Sequence, residues 1–389
     1  MGLIQDSAEH RAIRETVAGI ASRHGAAYFI ERARSGGNVD ELWKDLGAAG
    51  LLGLHLPEEY GGGGGGMAEA VVVVEELAAH GMPLLVWVIS PAICGNILAH
   101  HGSEEMKQRW LPAIADGTKV MAFGLTEPDA GSNSHNVKTT ARRTETGWTI
   151  SGSKYYISAV DQSDAILVVA RDAEHSTPEK SALSLFVVPT KSPGLSFQEI
   201  DTAIVSTDRQ FTVYFDNVEV GDDALIGVAG NGLRQVFAGL NPERILVGAV
   251  CGGIGRYAID KAAAYARDRQ VWSTPIGAHQ GIAHPLAEAH IAVELSRLAT
   301  VRSAELFDAG ENAGENAGEA ANIAKFAASE AALKALDQAI QTHGGNGLAH
   351  EYGLSELWFV TRLMRTAPVS REMVLNFIAQ SSLGLPRSY

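Results

Sequence analysis

Phe123-Gly124-Leu125-Thr126-Glu127-Pro128-Asp129-Ala130-Gly131-Ser132-Asn133 is the stretch at which the hydrophobic period of this chain changes. Before it the apolar residues recur at helical spacing, as with Ile13, Val17, Ile20, Ala21, Leu42 and Leu46. After it, short apolar runs alternate with Gly, Pro, Asp and Asn turns: Thr149 to Gly152, Ala165 to Ala170, Leu183 to Val188 and Phe211 to Phe215. On local chemistry alone, Thr126-Glu127-Pro128 reads equally well as a turn joining a helix to a strand.

Working outward, the first 119 residues read as helices. Ser103 is a candidate N-cap with Glu104 and Glu105 in the first turn behind it. The run Gly61 to Gly66 is too costly in backbone entropy for a helix and is expected as a loop, either a plain turn or a close approach to a ligand. Residues 120–231 read as an all-β domain of seven or eight strands, and residues 232–389 as a bundle of long helices. The repeat Ala309-Gly310-Glu311-Asn312, Ala313-Gly314-Glu315-Asn316 has no apolar anchors and is expected as a solvent-facing turn. The overall class is α+β, in the order helical, β, helical.

Of 389 residues, 46% are hydrophobic, which is enough for a large core divided among two or three domains. The formal charge of -14, from 45 acidic and 31 basic side chains, argues against a protein built to bind a nucleic-acid backbone. Cys94 and Cys251 are the only cysteines, too few for a disulfide framework or a Cys-rich metal site. His279, His284 and His290 do not form a His-Glu-x-x-His pattern. The stretch Met1 to Arg14 lacks a signal-like apolar run, and the most apolar window, Leu84 to Leu98, is too short to span a bilayer. A cytoplasmic protein without an integral membrane segment is expected.

The quoted stretch resembles the first signature of acyl-CoA dehydrogenases. Four further landmarks follow in order: Gly147-Trp148-Thr149-Ile150-Ser151-Gly152-Ser153-Lys154-Tyr155-Tyr156-Ile157-Ser158, the helix from Gly232 to Ala249, Arg269 to Ile276, and Gln341-Thr342-His343-Gly344-Gly345-Asn346-Gly347. The resemblance covers about 340 residues. It implies an N-terminal helical domain, a central β-barrel or sandwich and a C-terminal four-helix-bundle-like domain. It also implies FAD, an acyl-CoA substrate, an electron-transferring flavoprotein as oxidant, and a homotetramer or homodimer.

Carried over residue by residue, it implies that Leu125, Thr126, Tyr156 and Ser158 line the isoalloxazine, and that Ser132, Arg269, Gln341, Gly344 and Gly345 hold the rest of the FAD. Tyr156 stands where the family usually has tryptophan and Ser158 where it has threonine, so an aromatic surface and a hydroxyl are kept in altered shape. Glycines at 344 and 345 would let main-chain amides approach a pyrophosphate, and Arg269 would add a permanent charge. Arg244, Ser132, Leu240, Trp87 and Pro368 are implied as substrate contacts.

Removing a proton alpha to a thioester needs a carboxylate that is poorly solvated. In most of the family this glutamate lies in a Tyr-Glu-Gly-Thr string; counted without gaps from Gly344, that place is taken by Pro368. One branch carries the base on the helix opening the C-terminal domain, followed by arginine, and here that pair is Glu243-Arg244. Glu243 is therefore the expected base, with Glu372 in reserve. Read locally, Asn241-Pro242-Glu243 is equally an N-cap, a first-turn proline and a dipole-facing acid. Proline at 368 also lacks the amide hydrogen that the family places against the thioester carbonyl, so either another amide such as that of Val369 takes the role or the carbonyl is polarised less and the substrate is an unusual one. An oxygen-using oxidase or monooxygenase of the same fold and a non-catalytic CoA-binding or assembly protein are the competing readings.

Overall fold

The computed structural model describes residues 3–177, 181–310 and 316–387. Part of the tandem repeat, residues 311–315, lies outside the described residues. The N-terminal third is helical: α1 (Ala8–Arg34), α2 (Asp40–Ala48), α3 (Met67–Ala79), α4 (Leu85–Trp87), α5 (Asn96–His101) and α6 (Glu104–Ala115). The Ser103 hydroxyl caps α6, accepting from the Met106 amide at 3.2 Å. Between α4 and α5 the helix is not interrupted but widened: Val88–Gly95 is π-helical around Pro91. Such a widening re-aims side chains within a continuous helix. The glycine run is an ordered strap, tied by backbone hydrogen bonds from Gly62, Gly63, Gly64 and Gly65 to carbonyls of residues 53–57.

The middle of the chain forms one mixed eight-stranded sheet in the order β6-β7-β3-β2-β4-β5-β8, with β1 joining parallel to β4. Its strands are β1 (Met121–Gly124), β2 (Thr140–Arg143), β3 (Gly147–Ser158), β4 (Ala165–Asp172), β5 (Leu183–Pro189), β6 (Leu195–Ile200), β7 (Gln210–Gly221) and β8 (Leu225–Ile226). The quoted sequence thus leaves β1 at Gly124 and crosses the end of β3, where the Tyr155 amide donates to the Thr126 carbonyl at 2.8 Å.

The C-terminal part holds α7 (Gly232–Asp268), the β9–β10 hairpin (Gln270–Val271, Thr274–Pro275), α8 (Gln280–Asp308), α9 (Asn316–His343), α10 (Trp358–Leu363) and α11 (Arg371–Ser381). Two expectations need correction. Pro242 is not in a first turn: it sits inside the 37-residue α7, and the Asn241 side chain accepts from Arg244 Nη1 at 2.8 Å instead of capping. The run of long helices expected over residues 232–389 is broken between Glu351 and Met364, which holds two short 3-10 turns and only the short α-helix Trp358–Leu363, because Gly353 takes a left-handed φ of 67° and breaks the spacing.

Three buried clusters hold these parts together. One is the helical core shared by α1, α3, α7, α8 and α9; one fills the sheet; the third, with Ile93, Ile97, Trp110, Met121, Leu167, Leu185 and Val236, joins all three regions. The candidate site lies along this third cluster, where α7 crosses the π-helical segment.

Candidate active site

Gly239 sets the crossing. A Cβ there would meet Ile93 Cγ2 at 2.8 Å and Ile97 Cδ1 at 2.9 Å, so only glycine lets α7 lie against the π-helical segment. One turn further along the same face stands Glu243. Among the described residues its carboxylate makes no hydrogen bond and no ion pair, and the thiol of Cys94, buried in the π segment, feels its charge. Burial pushes the Glu243 carboxyl up to about 7, against the lowering pull of Arg244 and Lys325. A half-buried, unpaired carboxylate of that basicity can take a proton from carbon at neutral pH.

Arg244 has its guanidinium over the ring of the exposed Phe237 at 5.8 Å, and its Nε is buried without a partner. Leu240 packs half-buried at the edge of the third cluster. Trp87 is fully buried in the helical core, its ring 5.4 Å from that of His55, and its indole nitrogen has no partner. Pro368 follows a cis peptide bond in the half-buried turn before α11. The amide of the next residue, Val369, donates to no acceptor among the described residues. Glu372 lies away from this group, in the first turn of α11 with its side chain 73% exposed.

The sheet end of the site has a different chemistry. Leu125 and Thr126 are half-buried after β1, and the Thr126 amide and hydroxyl have no protein partner among the described residues. Lys138 N, Thr139 N and the fully buried Lys154 ammonium all donate to the Glu127 carboxylate, at 2.6, 2.9 and 2.8 Å, and Lys154 also donates to the Leu125 carbonyl at 3.0 Å. That node fixes the turn that presents Thr126. The β3–β7 register slips between Lys154 and Ile157, and at this bulge Tyr156 takes a φ of 55° and stands 52% exposed, its ring 4.3 Å from that of Tyr155. Bulges and left-handed non-glycine residues of this kind re-aim side chains at functional positions. The Ser158 hydroxyl is engaged by the Gln210 amide, donating to Oε1 at 3.1 Å and lying 2.9 Å from Nε2. Ser132 is exposed at the rim of the same turn.

Arg269 and Gln341 are exposed in the C-terminal part, as are Gly344 and Gly345. The glycine loop rests on an aromatic platform: His343 stacks on Tyr265 at 4.2 Å, and Asn346 Nδ2 donates to the hydroxyls of Tyr265 and Tyr352 at 3.1 and 3.0 Å. Apart from their chain neighbours, nothing among the described residues lies within 4 Å of a Cβ added at Gly344 or Gly345. Packing among the described residues therefore does not require glycine at 345.

Sequence reasoning missed Lys154, Glu127, Gln210 and the Tyr265–Asn346–Tyr352 platform. A signal existed for Lys154, which stands in β3 at the same parity as the buried Trp148 and Ile150.

The three-part fold, with an unpaired carboxylate on α7 and a free amide and hydroxyl at Thr126 after β1, is that of a flavin-dependent oxidoreductase. The sequence matches the acyl-CoA dehydrogenase N-terminal domain over residues 7–118, the middle domain over 122–218 and the C-terminal domain over 230–383. This chain belongs to the acyl-CoA dehydrogenase family. It is similar to the acyl-CoA dehydrogenase FadE12 of Mycobacterium tuberculosis, with 53% identity over 384 residues, covering 99% of this chain and 98% of that one. It is also similar to the crystal structure of glutaryl-CoA dehydrogenase from Mycobacterium smegmatis, 27% identical, with a TM-score of 0.91 over 99% of this chain and 97% of the other. A glutaryl-CoA dehydrogenase of that organism in complex with FADH2 has the same fold at 24% identity, with a TM-score of 0.90 over 99% and 96% of the two chains.

Proposed function

We propose that this protein oxidises an acyl-CoA thioester between its alpha and beta carbons to the trans-2-enoyl thioester, with Glu243 as the base. The observation that carries the reading is the Glu243 carboxylate, unpaired among the described residues and pushed up to about 7 by burial. The cofactor is FAD, which supplies the acceptor for the beta hydride when bound. Thr126, with its free amide and hydroxyl, would donate to the edge of the ring that gains electron density, Leu125 and Tyr156 would cover its surface, and Ser158 would line it while held by Gln210. Ser132, Arg269, Gln341, Gly344 and Gly345 hold the ribityl and pyrophosphate portions, the last four from a neighbouring copy of the chain.

In the proton-transfer step the alpha C–H bond breaks toward Glu243, and the Val369 amide stabilises the developing charge on the thioester oxygen in place of the donor that Pro368 lacks. Arg244 offers its unpartnered Nε to an anionic portion of the substrate, and Leu240 bounds the acyl side, while Trp87 stays in the helical core behind it. The exposed Ile291, Leu295 and Leu298, spaced along one face of α8, support a homodimer or homotetramer. Electrons then leave to an electron-transferring flavoprotein. No helix among the described residues is long and apolar enough to cross a membrane.

Anaerobic mixing with a panel of short, long, branched and aromatic acyl-CoAs tests the reaction. Bleaching of the flavin absorbance near 450 nm by a subset supports it and names the acyl group; rapid reoxidation by air without a protein acceptor would support the oxidase instead, and no bleaching by any thioester would sink both.

The cofactor loop has its own test. Gly345→Val is expected to leave the fold unchanged, because its side chain points into open space, yet to weaken FAD binding. Losing one charge-assisted hydrogen bond of about 1.5–3 kcal/mol corresponds to roughly a tenfold to hundredfold change. Flavin content after gel filtration, compared with the far-UV spectrum of the same sample, reads both effects; full flavin occupancy would remove Gly345 from the site.

A further inference from the structure

Lys325 is 1% exposed, in the middle of α9. It lies on the same stripe as the buried Ala321, Ala328 and Ala332, the face that packs against α7. Among the described residues no carboxylate comes within 4 Å of its ammonium, and its one hydrogen bond runs to the Val369 carbonyl at 2.6 Å. Burying an ammonium costs several kcal/mol, and a methionine would fill much the same space without that cost. The position therefore uses the charge and the donor, not only the volume.

Both lead to the site. The turn bearing Pro368 is fastened to α9 at several points: Arg365 and Arg371 pair with Glu330 at 2.8 and 3.0 Å, Arg371 lies 5.4 Å over the Phe326 ring, and Lys325 holds Val369 itself. The charged and titratable groups that Lys325 feels are Cys251, Arg244 and Glu243 from α7 and Glu330 from its own helix. Those that Glu243 feels are Arg244 and Lys325.

We propose that Lys325 is a positioning residue for the reaction, clamping the turn that carries the free Val369 amide and standing with Arg244 as one of two cations in the surroundings of the Glu243 carboxylate. The inference rests on Glu243 being the base. Within it, one ammonium does two things: it anchors Val369 through its carbonyl, which limits how far the amide of the same residue can move, and it keeps a poorly solvated carboxylate from becoming too hard to ionise. Burial pushes Lys325 itself down to about 8, so at neutral pH the cation persists.

The test uses the flavin-loaded protein with Lys325→Gln and Lys325→Met. Glutamine keeps a donor toward Val369 and removes the charge; methionine removes both. Two readouts are taken: the pH dependence of anaerobic flavin bleaching by an active acyl-CoA, and infrared titration of the Glu243 carboxyl, identified by its loss in Glu243→Gln. Loss of an opposite charge nearby is expected to move the midpoint upward by about one pH unit in both variants. At a pH above both midpoints, Lys325→Gln should regain most of the rate and Lys325→Met should not, because only glutamine still holds the turn.

An unmoved midpoint in both variants, with Glu243→Gln inert, overturns the role of Lys325 alone. Bleaching that survives Glu243→Gln overturns the base and this inference with it. If neither neutral variant folds, Lys325→Arg decides: the charge stays while the carbonyl tie is displaced, so the midpoint should hold and the rate should fall, and a shifted midpoint or an unchanged rate overturns the proposal.

Discussion

Glu243→Gln should fold, retain FAD and bind thioester, yet lose flavin reduction. Glutamine has nearly the same shape, and the native carboxylate has no hydrogen-bond or ion-pair partner among the described residues whose loss would disturb the fold. What disappears is the proton acceptor, a contribution of roughly 10²–10⁴-fold in rate. Stopped-flow bleaching of the wild type and the variant with the same acyl-CoA measures it. The pH profile gives a second check: the base acts in its ionised form, and its carboxyl sits at about 7, so the wild-type bleaching rate should rise with pH through that value. The variant's residual rate should lack this limb. A wild-type profile flat between pH 6 and 8 would place proton abstraction elsewhere, and Glu372, exposed and paired loosely with Arg371 at 3.9 Å, offers no comparable environment.

The largest stability effect is expected far from the chemistry, at Glu75. Its carboxylate is buried in α3 and accepts from Arg297 Nε and Nη2 at 3.1 and 2.8 Å, from Arg256 Nη1 at 2.7 Å and from Arg14 Nη1 at 3.2 Å. One side chain thus ties α1, α7 and α8 to α3. Burial alone would raise its carboxyl, but Arg297, Arg256 and Arg14 together hold it below the usual 4.5. Glu75→Gln removes the carboxylate these guanidinium groups share and leaves Arg297 with Glu294 and Arg14 and Arg256 with Glu76, an excess of buried positive charge that costs about 3–5 kcal/mol. Thermal or urea unfolding reads that cost, and Glu75→Gln combined with Arg297→Met should recover part of it by removing one cation of the excess. The sign with pH follows from the depressed carboxyl: its stabilisation is present above about 4.5 and is lost as the pH falls through the lower folded value. A wild-type melting midpoint unchanged by Glu75→Gln would mean that these contacts contribute nothing net.

How far the site was legible depended on what each residue type must do locally. The strands around Ile166 and Val187 could be read because short continuous apolar runs bounded by turn residues report on buried strands. Ser103 could be read as a cap because a hydroxyl ahead of two glutamates satisfies a helix end whatever surrounds it. Pro242 misled for the same reason: proline favours a first turn locally, but the packing of α7 across α3, α8 and α9 outweighs one missing hydrogen bond. Glu75, Lys154 and Lys325 were legible only as polar residues on otherwise apolar faces, since their partners are 27 to 222 positions away in the chain.

The sequence by itself determined the order of the three parts, the landmarks that tie the chain to its family, and the pairing of a glutamate at 243 with a proline at 368. Those are one-dimensional properties, carried by period, residue type and spacing. Only the tertiary structure decided that Gly239 brings α7 against the π-helical segment, that the Glu243 carboxylate is left without a partner, and that a buried lysine on α9 reaches the turn after Pro368. Basicity depends on solvent exclusion and on charges brought near from distant parts of the chain, and neither exists until the helices have packed.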